Sequence, residues 1–279
     1  MNNSSSISVL IRTFNSSKTL GKVLLKMELQ NNDEIIIVDS GSSDSTLQIA
    51  AQYGASIINA PPPFNYSKSL NIGFQAAKNP WVLVISSHCI PMVSDFLKIY
   101  RREIMKFPQD IVVGYGPSTL SGKSDPNLPK ETTSYFSEKE YQAFSEVCGN
   151  GNTIYRTSAW EQLQFDESIR TSEDKIWIAE MVSRGFGFAY LPMVRGLNMS
   201  QYSILYMFRK GYRDARALRL PGHRPMKLWH LAGALKNLAL PKIKGEINWS
   251  NWARYSAHTF GQYLASYQPE DNTPINGAS

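Results

Sequence analysis

Three short stretches of this sequence carry side chains able to do chemistry at the end of a buried element. In the first, Ile37-Val38-Asp39-Ser40-Gly41-Ser42-Ser43-Asp44-Ser45-Thr46, an apolar run stops at a carboxylate, a glycine follows, and a second acid precedes a helical pattern. Ligands of open α/β sheets bind at the carboxyl ends of strands, where acids hold ribose or base donors. Asp44 is accounted for as a helix N-cap. Asp39 is not: an acid ending a buried strand needs a donor, and a nucleoside would supply one. The second stretch, Ser172-Glu173-Asp174, opens a helical pattern whose N-terminal dipole keeps a carboxylate ionised. Capping would use one of these three residues and leave the others to be explained. The third, Ser86-Ser87-His88-Cys89, sets two hydroxyls and an imidazole directly after the apolar run Trp81-Val82-Leu83-Val84-Ile85. Cys89 reads as core packing, and His230 and His258, in helical aromatic-rich sequence, read as structural.

The elements that must position these groups alternate along the chain. Residues 7–11, 34–38, 55–58, 81–85 and 111–115 are short apolar runs. Helical spacing separates them over 20–27, 44–53, 67–77 and 93–106. Ser16 or Ser17 is the expected cap of the first helix. This pattern predicts a mostly parallel sheet covered by helices, an α/β fold. Residues 116–135, rich in Ser, Pro, Gly and Lys, read as a loop or lid. A strand over 152–155, a helix from Ser158, a helix over 173–183 and a strand over 186–191 follow. From about Ser200 the alternation gives way to helical, basic sequence. The expected organisation is a catalytic domain over 1–199, a basic helical extension over 200–268 and a frayed tail over 269–279, with no internal repeat.

A hydrophobic content of 42% and a charged content of 19% in 279 residues describe an ordinary globular chain. No apolar run is long enough to span a bilayer, and the start, MNNSSSISVLIRTFN, lacks the basic opening and long apolar core of a signal peptide. Two cysteines are too few for a disulfide framework, so a reducing cytoplasm is expected. The net charge of +6 is uneven: residues 201–244 hold ten Lys/Arg against one acid, Asp214, leaving the rest slightly acidic. The bland account is a solvated basic helix. The interleaved Tyr202, Tyr206, Phe208, Tyr212 and Trp229 put beside it, on equal terms, a surface for phosphate or anionic lipid; no nucleic-acid partner is expected.

Taken in order, these segments resemble family 2 glycosyltransferases. The run Val9-Leu10-Ile11-Arg12-Thr13-Phe14-Asn15 is similar to that family's opening strand and P-T-Y-N turn, with Arg12 in place of the proline. Residues 37–46 resemble its V-D-D/S-G-S-x-D-x-T segment, and residues 64–77 its helix beside the donor. Gly149-Asn150-Gly151-Asn152 followed by Tyr155-Arg156 resembles its acceptor-side strand, and Phe165-Asp166-Glu167 with Ser172-Glu173-Asp174 its F-D-E…E-D pair. The likeness covers about residues 7–195. It implies a GT-A fold, a nucleotide-diphosphate sugar donor, a saccharide or lipid-linked acceptor, and inversion at the anomeric carbon. By motif position Asp39 would meet the nucleobase, with Thr13, Asn15, Lys68, Ser86 and Ser87 on the donor side. Gly151, Asn152 and Glu173 would lie on the acceptor side, and Asp174 would be the general base.

The sequence departs from the family at its D-x-D motif, whose last acid coordinates Mg2+ or Mn2+. Here Ser86-Ser87-His88 takes that place, similar to the D-x-H-C of the polypeptide N-acetylgalactosaminyltransferases. An imidazole shifts the expected metal from Mg2+ towards Mn2+, with His88 and His223 as candidate ligands. Direct donation from His88 to the diphosphate, without metal, is the alternative. Arg209, Lys210 and Arg213 are candidates to neutralise the leaving diphosphate. The expected activity is inverting sugar transfer in surface polysaccharide or glycolipid synthesis, in the cytoplasm or on the inner membrane face. A retaining transferase and an inactive nucleotide-sugar-binding protein stand as alternatives. A nucleotidyltransferase or dehydrogenase is disfavoured, since no G-x-G-x-x-G follows the first strand and there is no P-loop.

Overall fold

A computed structural model describes residues 5–30, 32–119, 133–136, 149–169, 171–199, 203–217, 256–257 and 259–264. The chain divides into two compact units, Met1–Ser200 and Gln201–Ser279. The first is built on an eight-stranded sheet. In chain order its strands are β1 (Ile7–Thr13), β2 (Glu34–Asp39), β3 (Ser56–Asn59), β4 (Trp81–Ile85), β6 (Ile111–Tyr115), β8 (Ser134–Phe136), β9 (Asn152–Arg156) and β10 (Gly187–Tyr190). Spatially they run β3-β2-β1-β4-β9-β6-β10-β8. β9 lies antiparallel between β4 and β6, and β8 pairs antiparallel with β10 at the edge; the other pairings are parallel. A second, three-stranded sheet joins β5 (Cys89–Pro91), β11 (Gly196–Asn198) and β7 (Ser118–Thr119).

The β-branched runs form strands because both of their faces are buried, and alternate residues serve opposite cores. Ile7, Val9, Ile11, Ile35, Ile37, Leu83 and Ile85 pack under α1 (Leu20–Leu24), α2 (Thr46–Gln52) and α4 (Phe96–Ile104). Leu10, Ile36, Val38, Val82 and Val84 pack on the other side. There α3 (Tyr66–Ala76), α5 (Thr157–Gln162) and α6 (Glu173–Ser183) close a ring cluster of Phe74, Tyr155, Trp160, Phe165 and Trp177. Gly73 lets α3 sit directly on β1: a Cβ there would enter the Leu10 side chain. That close approach sets the helix's first residue, Tyr66, beside the end of β1.

Three local expectations are corrected. The first helix spans only Leu20–Leu24, with Thr19 at its N-cap and no side-chain cap. Neither Ser16 nor Ser17 caps it; the Ser16 hydroxyl instead shares a bond with Ser87 Oγ (2.9 Å). Asp44 acts one residue earlier than a cap, accepting the Thr46 N–H and hydroxyl and the Ser17 N–H. The stretch 116–135 is not all loop, since β7 and the start of β8 fall within it. Helix α7 (Ile204–Ala217) belongs to the second unit. No helix among the described residues is long and apolar enough to cross a membrane.

Candidate active site

The carboxyl ends of the parallel strands form one edge, where three groups of polar side chains gather. At the ends of β2 and β3 a half-open cleft of about 410 Å3 is lined by residues including Asp39, Gly41, Ser42, Asn59, Pro62 and Phe64. Asp39 is 1% exposed, yet does not wait for a ligand to satisfy it. Thr13 Oγ1 and Ser42 Oγ each donate to its Oδ1 at 2.6 Å, and the Gly41 and Ser42 N–H groups donate to Oδ2 at 2.9 and 2.7 Å. Burial alone would raise its pKa; these donors outweigh it and hold the carboxyl below the usual range. The expectation that a nucleoside must supply the missing donor is thereby corrected, since the following turn supplies three and Thr13 on β1 a fourth. Asp39 is instead an anchored anion that shapes the cleft wall. Thr13 and Asn15 act behind that wall: Asn15, at φ 46°, donates its N–H to Ser42 Oγ (2.9 Å) and accepts the Ser43 N–H (2.9 Å).

The second group ends β4. Ser87 is buried against Ser16, tying this end to the turn after β1. Ser86 donates its N–H to the Gly151 carbonyl (3.1 Å) and its hydroxyl weakly to the Asn150 carbonyl (3.5 Å). His88 is half-buried. Burial first, and then the charge of Arg12, hold its pKa below the ordinary histidine value. Its imidazole is therefore neutral near pH 7, the form that ligates metals.

The third group opens α6. Ser172, in the left-handed region at φ 59°, makes no capping bond with its side chain. Neither acid behind it caps the helix. Glu173 Oε1 receives Arg12 Nη1 (3.1 Å) and Asn150 Nδ2 (3.2 Å). Asp174 Oδ2 receives the Asn150 N–H (2.7 Å), and its Oδ1 receives the Lys175 N–H (2.8 Å). Burial, followed by the charge of Glu173, pushes the Asp174 pKa up to about 6, against the opposing pull of these N–H donors. Arg12 and Thr13, adjacent on β1, thus point to opposite faces: Thr13 holds Asp39 and Arg12 holds Glu173.

The sequence model for "Glycosyl transferase family 2" matches residues 8–162, more than half of the chain. The chain belongs to this family. Asp39 and the β4 end fall within the matched residues; Glu173 and Asp174 lie beyond them. A glucosyl-3-phosphoglycerate synthase from Petrotoga mobilis is 42% identical over 57 residues, which is 18% of this chain and only 18% of that protein. Among solved structures, a mannosyltransferase from Pyrobaculum calidifontis in complex with GDP-mannose and Mn2+ superposes with a TM-score of 0.62 at 12% identity, covering 94% of this chain and 88% of its own. S. aureus TarS (residues 1–349) gives 0.57 at 16% identity over 92% and 90%. Glucosyl-3-phosphoglycerate synthase from Mycobacterium tuberculosis, in complex with Mn2+, UDP and glucosyl-3-phosphoglycerate, gives 0.51 at 16% identity over 71% and 73%. At these identities the likeness concerns the fold, which is GT-A.

In this family 2 glycosyltransferase the remaining expected residues separate. Gly151 meets Ser86 through its carbonyl. Asn152 is fully buried, with its amide spent on Tyr100 Oη (2.7 Å) and the Val194 carbonyl (2.5 Å), so it faces no acceptor. The bridging residue is Asn150, two positions earlier. Lys68 is half-buried in the first turn of α3. Arg209, Lys210 and Arg213 lie on α7 of the second unit, and His223 lies outside the described residues. Among the described residues no group of three or more His, Cys, Asp or Glu side chains gathers for a metal. One neutral imidazole, His88, suits an ion shared with phosphate oxygens of a bound donor and does not suit a cage closed by protein. Two supporting residues were not among the expected site residues, although both stand in the 64–77 stretch that resembles the family's helix beside the donor. Asn71 holds the Phe165 main chain and Glu167 (2.9, 3.1 and 3.1 Å), and Asn65 holds the Glu167 carbonyl (2.7 Å), fixing the approach to α6.

Proposed function

We propose that this glycosyltransferase moves a sugar from a nucleoside-diphosphate sugar to a hydroxyl acceptor with inversion. The observation carrying this reading is the placement of Asp174, a nearly buried carboxylate with a raised pKa at the same sheet edge as the Asp39 cleft and the β4 end. Each Asp174 oxygen holds one N–H and keeps a lone pair for an acceptor proton. Asp174 takes that proton as the acceptor oxygen bonds to the anomeric carbon, and the bond from that carbon to the diphosphate breaks on the opposite face. The nucleoside packs in the cleft between Asp39 and Phe64. A divalent ion, Mn2+ rather than Mg2+, would be held by His88, with His223 a second candidate, and would supply charge neutralisation at the leaving diphosphate. The Mn2+ complexes of two structural neighbours support this assignment. Ser86-Ser87-His88 is accordingly the variant of the family's D-x-D motif. The acceptor is a saccharide or lipid-linked hydroxyl of surface polysaccharide or glycolipid synthesis, and Arg209, Lys210 and Arg213 form a basic set on α7 suited to a phosphate-bearing partner, a diphosphate or an anionic membrane surface.

A thermal-shift screen of UDP-glucose, UDP-GlcNAc, GDP-mannose and dTDP-rhamnose, with and without Mn2+, tests the donor side. One donor should stabilise the protein in the presence of Mn2+, and His88→Ala should abolish that gain. An equal shift without metal would move His88 to direct diphosphate contact. The anomeric configuration of the product, read by NMR, tests Asp174: retention would overturn it as the base, and inactivity with every donor would favour a binding protein. Alanine at Arg209, Lys210 and Arg213 that spares donor binding but abolishes sedimentation with anionic vesicles would assign them to the membrane.

A further inference from the structure

Arg12 stands at the end of β1, where the resembling family pattern has proline, and a proline there could reach nothing across the sheet. The guanidinium spans three elements. Nη1 donates to the Tyr66 carbonyl at the start of α3 (3.2 Å) and to Glu173 Oε1 at the start of α6 (3.1 Å), and the group lies over the Tyr66 ring at 5.0 Å. Glu173 is 6% exposed, and its Oε1 also takes Asn150 Nδ2. The Asn150 side chain is fixed at its other end by Tyr155 Oη (2.7 Å), and its main-chain N–H goes to Asp174 Oδ2. A connected path therefore runs from Arg12 through Glu173 and Asn150 to the Asp174 oxygen.

We propose that Arg12 is a positioning residue for the transfer reaction: by pairing with Glu173 it locks the Asn150 turn, which presents the Asp174 carboxylate at the sheet edge. The proposal rests on the reading of Asp174 as the base. Without Arg12, Glu173 is a buried carboxylate next to a second one, with no cation to hold it. It can then let go of Asn150, and that frees the turn that aims Asp174. A base displaced by about an ångström costs on the order of 100-fold in rate, while the Asp39 cleft lies on the other face of β1 and the diphosphate end of the donor feels only the loss of the Arg12 charge near His88.

The test is a double-mutant cycle of Arg12→Gln and Glu173→Gln, followed by nucleoside diphosphate release from whichever of UDP-glucose, UDP-GlcNAc, GDP-mannose or dTDP-rhamnose the enzyme turns over. Thermal unfolding of each variant reports folding. Arg12→Gln should lower kcat roughly 10- to 100-fold, with a smaller rise in donor KM from the loss of its charge near His88. Adding it to Glu173→Gln should cost little more, and Arg12→Lys should recover part of the loss. Effects that multiply, or a rise in donor KM at constant kcat, would overturn the proposal and make Arg12 a direct donor contact. If Arg12→Gln loses its cooperative unfolding transition, Arg12→Lys carries the same cycle with the same criteria. If Asp174→Asn leaves turnover intact the base reading fails, whereas additivity in the cycle with Asp174→Asn inactive sinks only the role of Arg12.

Discussion

Asp174→Asn removes the charge from a carboxylate that is 8% exposed and stands beside a second acid. Its pKa rises from 3.8 to about 6 in the folded protein, a gap of about two units; at about 1.4 kcal/mol per unit, ionised Asp174 costs the native state roughly 3 kcal/mol. Because the folded value lies above the unfolded one, the native state binds the extra proton between about pH 6 and pH 4, and this cost fades as the pH falls through that window. At pH 7.5 it is fully present; by pH 4.5 about 2 kcal/mol of it is recovered. Asparagine cannot titrate, so its stability relative to wild type should be about 2 kcal/mol more favourable at pH 7.5 than at pH 4.5. Taking the difference between the two pH values cancels the hydrogen bonds that asparagine makes poorly. Subtracting wild type from variant at each pH cancels Asp39, whose lowered pKa acts with the opposite sign in both proteins. Urea denaturation of wild type and variant at the two pH values supplies the measurement, with turnover falling by about 100-fold or more in parallel. A stability difference that is the same at both pH values would refute the raised pKa, and with it the account of a carboxylate held ready as a base.

Phe64, 49% exposed at the lip of the cleft, has little to do for folding. Phe64→Ala should leave the unfolding midpoint nearly unchanged and weaken binding of the selected nucleotide about 10-fold by calorimetry, the loss of one base-stacking surface; unchanged affinity would remove the nucleoside from this cleft. Gly73→Ala drives a methyl into Leu10 and lifts α3 off β1, an overpacking expected to cost about 1–3 kcal/mol in urea denaturation, and an unchanged midpoint would contradict the close helix–strand contact.

The parallel strands were legible because Ile7, Val9 and Ile11 or Ile35 and Ile37 lie in runs apolar on both faces, a pattern few other structures satisfy. β5 and β11 were not, since three-residue strands carry no period and Pro91 argues against one. Asp39 and Asp174 stood out as acids where a buried element ends or begins, but their partners did not. The Thr13 bond spans 26 residues and the Arg12–Glu173 pair spans 161, so only the strand order brings them together. Between Asn150 and Asn152 sequence spacing could not decide, because one lies in the turn before β9 and the other is turned towards Tyr100.

The reversed direction of β9 has an evolutionary reading. β6 arrives at the ligand-bearing edge and β9 departs from it, so the intervening residues 116–151 begin and end there, on a stem closed by the Gly116 N–H and the Asn152 carbonyl (2.9 Å). Chain added between the pairings of this span leaves the β6–β9 register as it is, and doubling a loop's length costs only about 0.6 kcal/mol of closure entropy. Within that span β7 pairs with β11 and β8 with β10 at the far edge of the sheet, so its pairings fall away from the β3-β2-β1-β4 half that carries the Asp39 cleft.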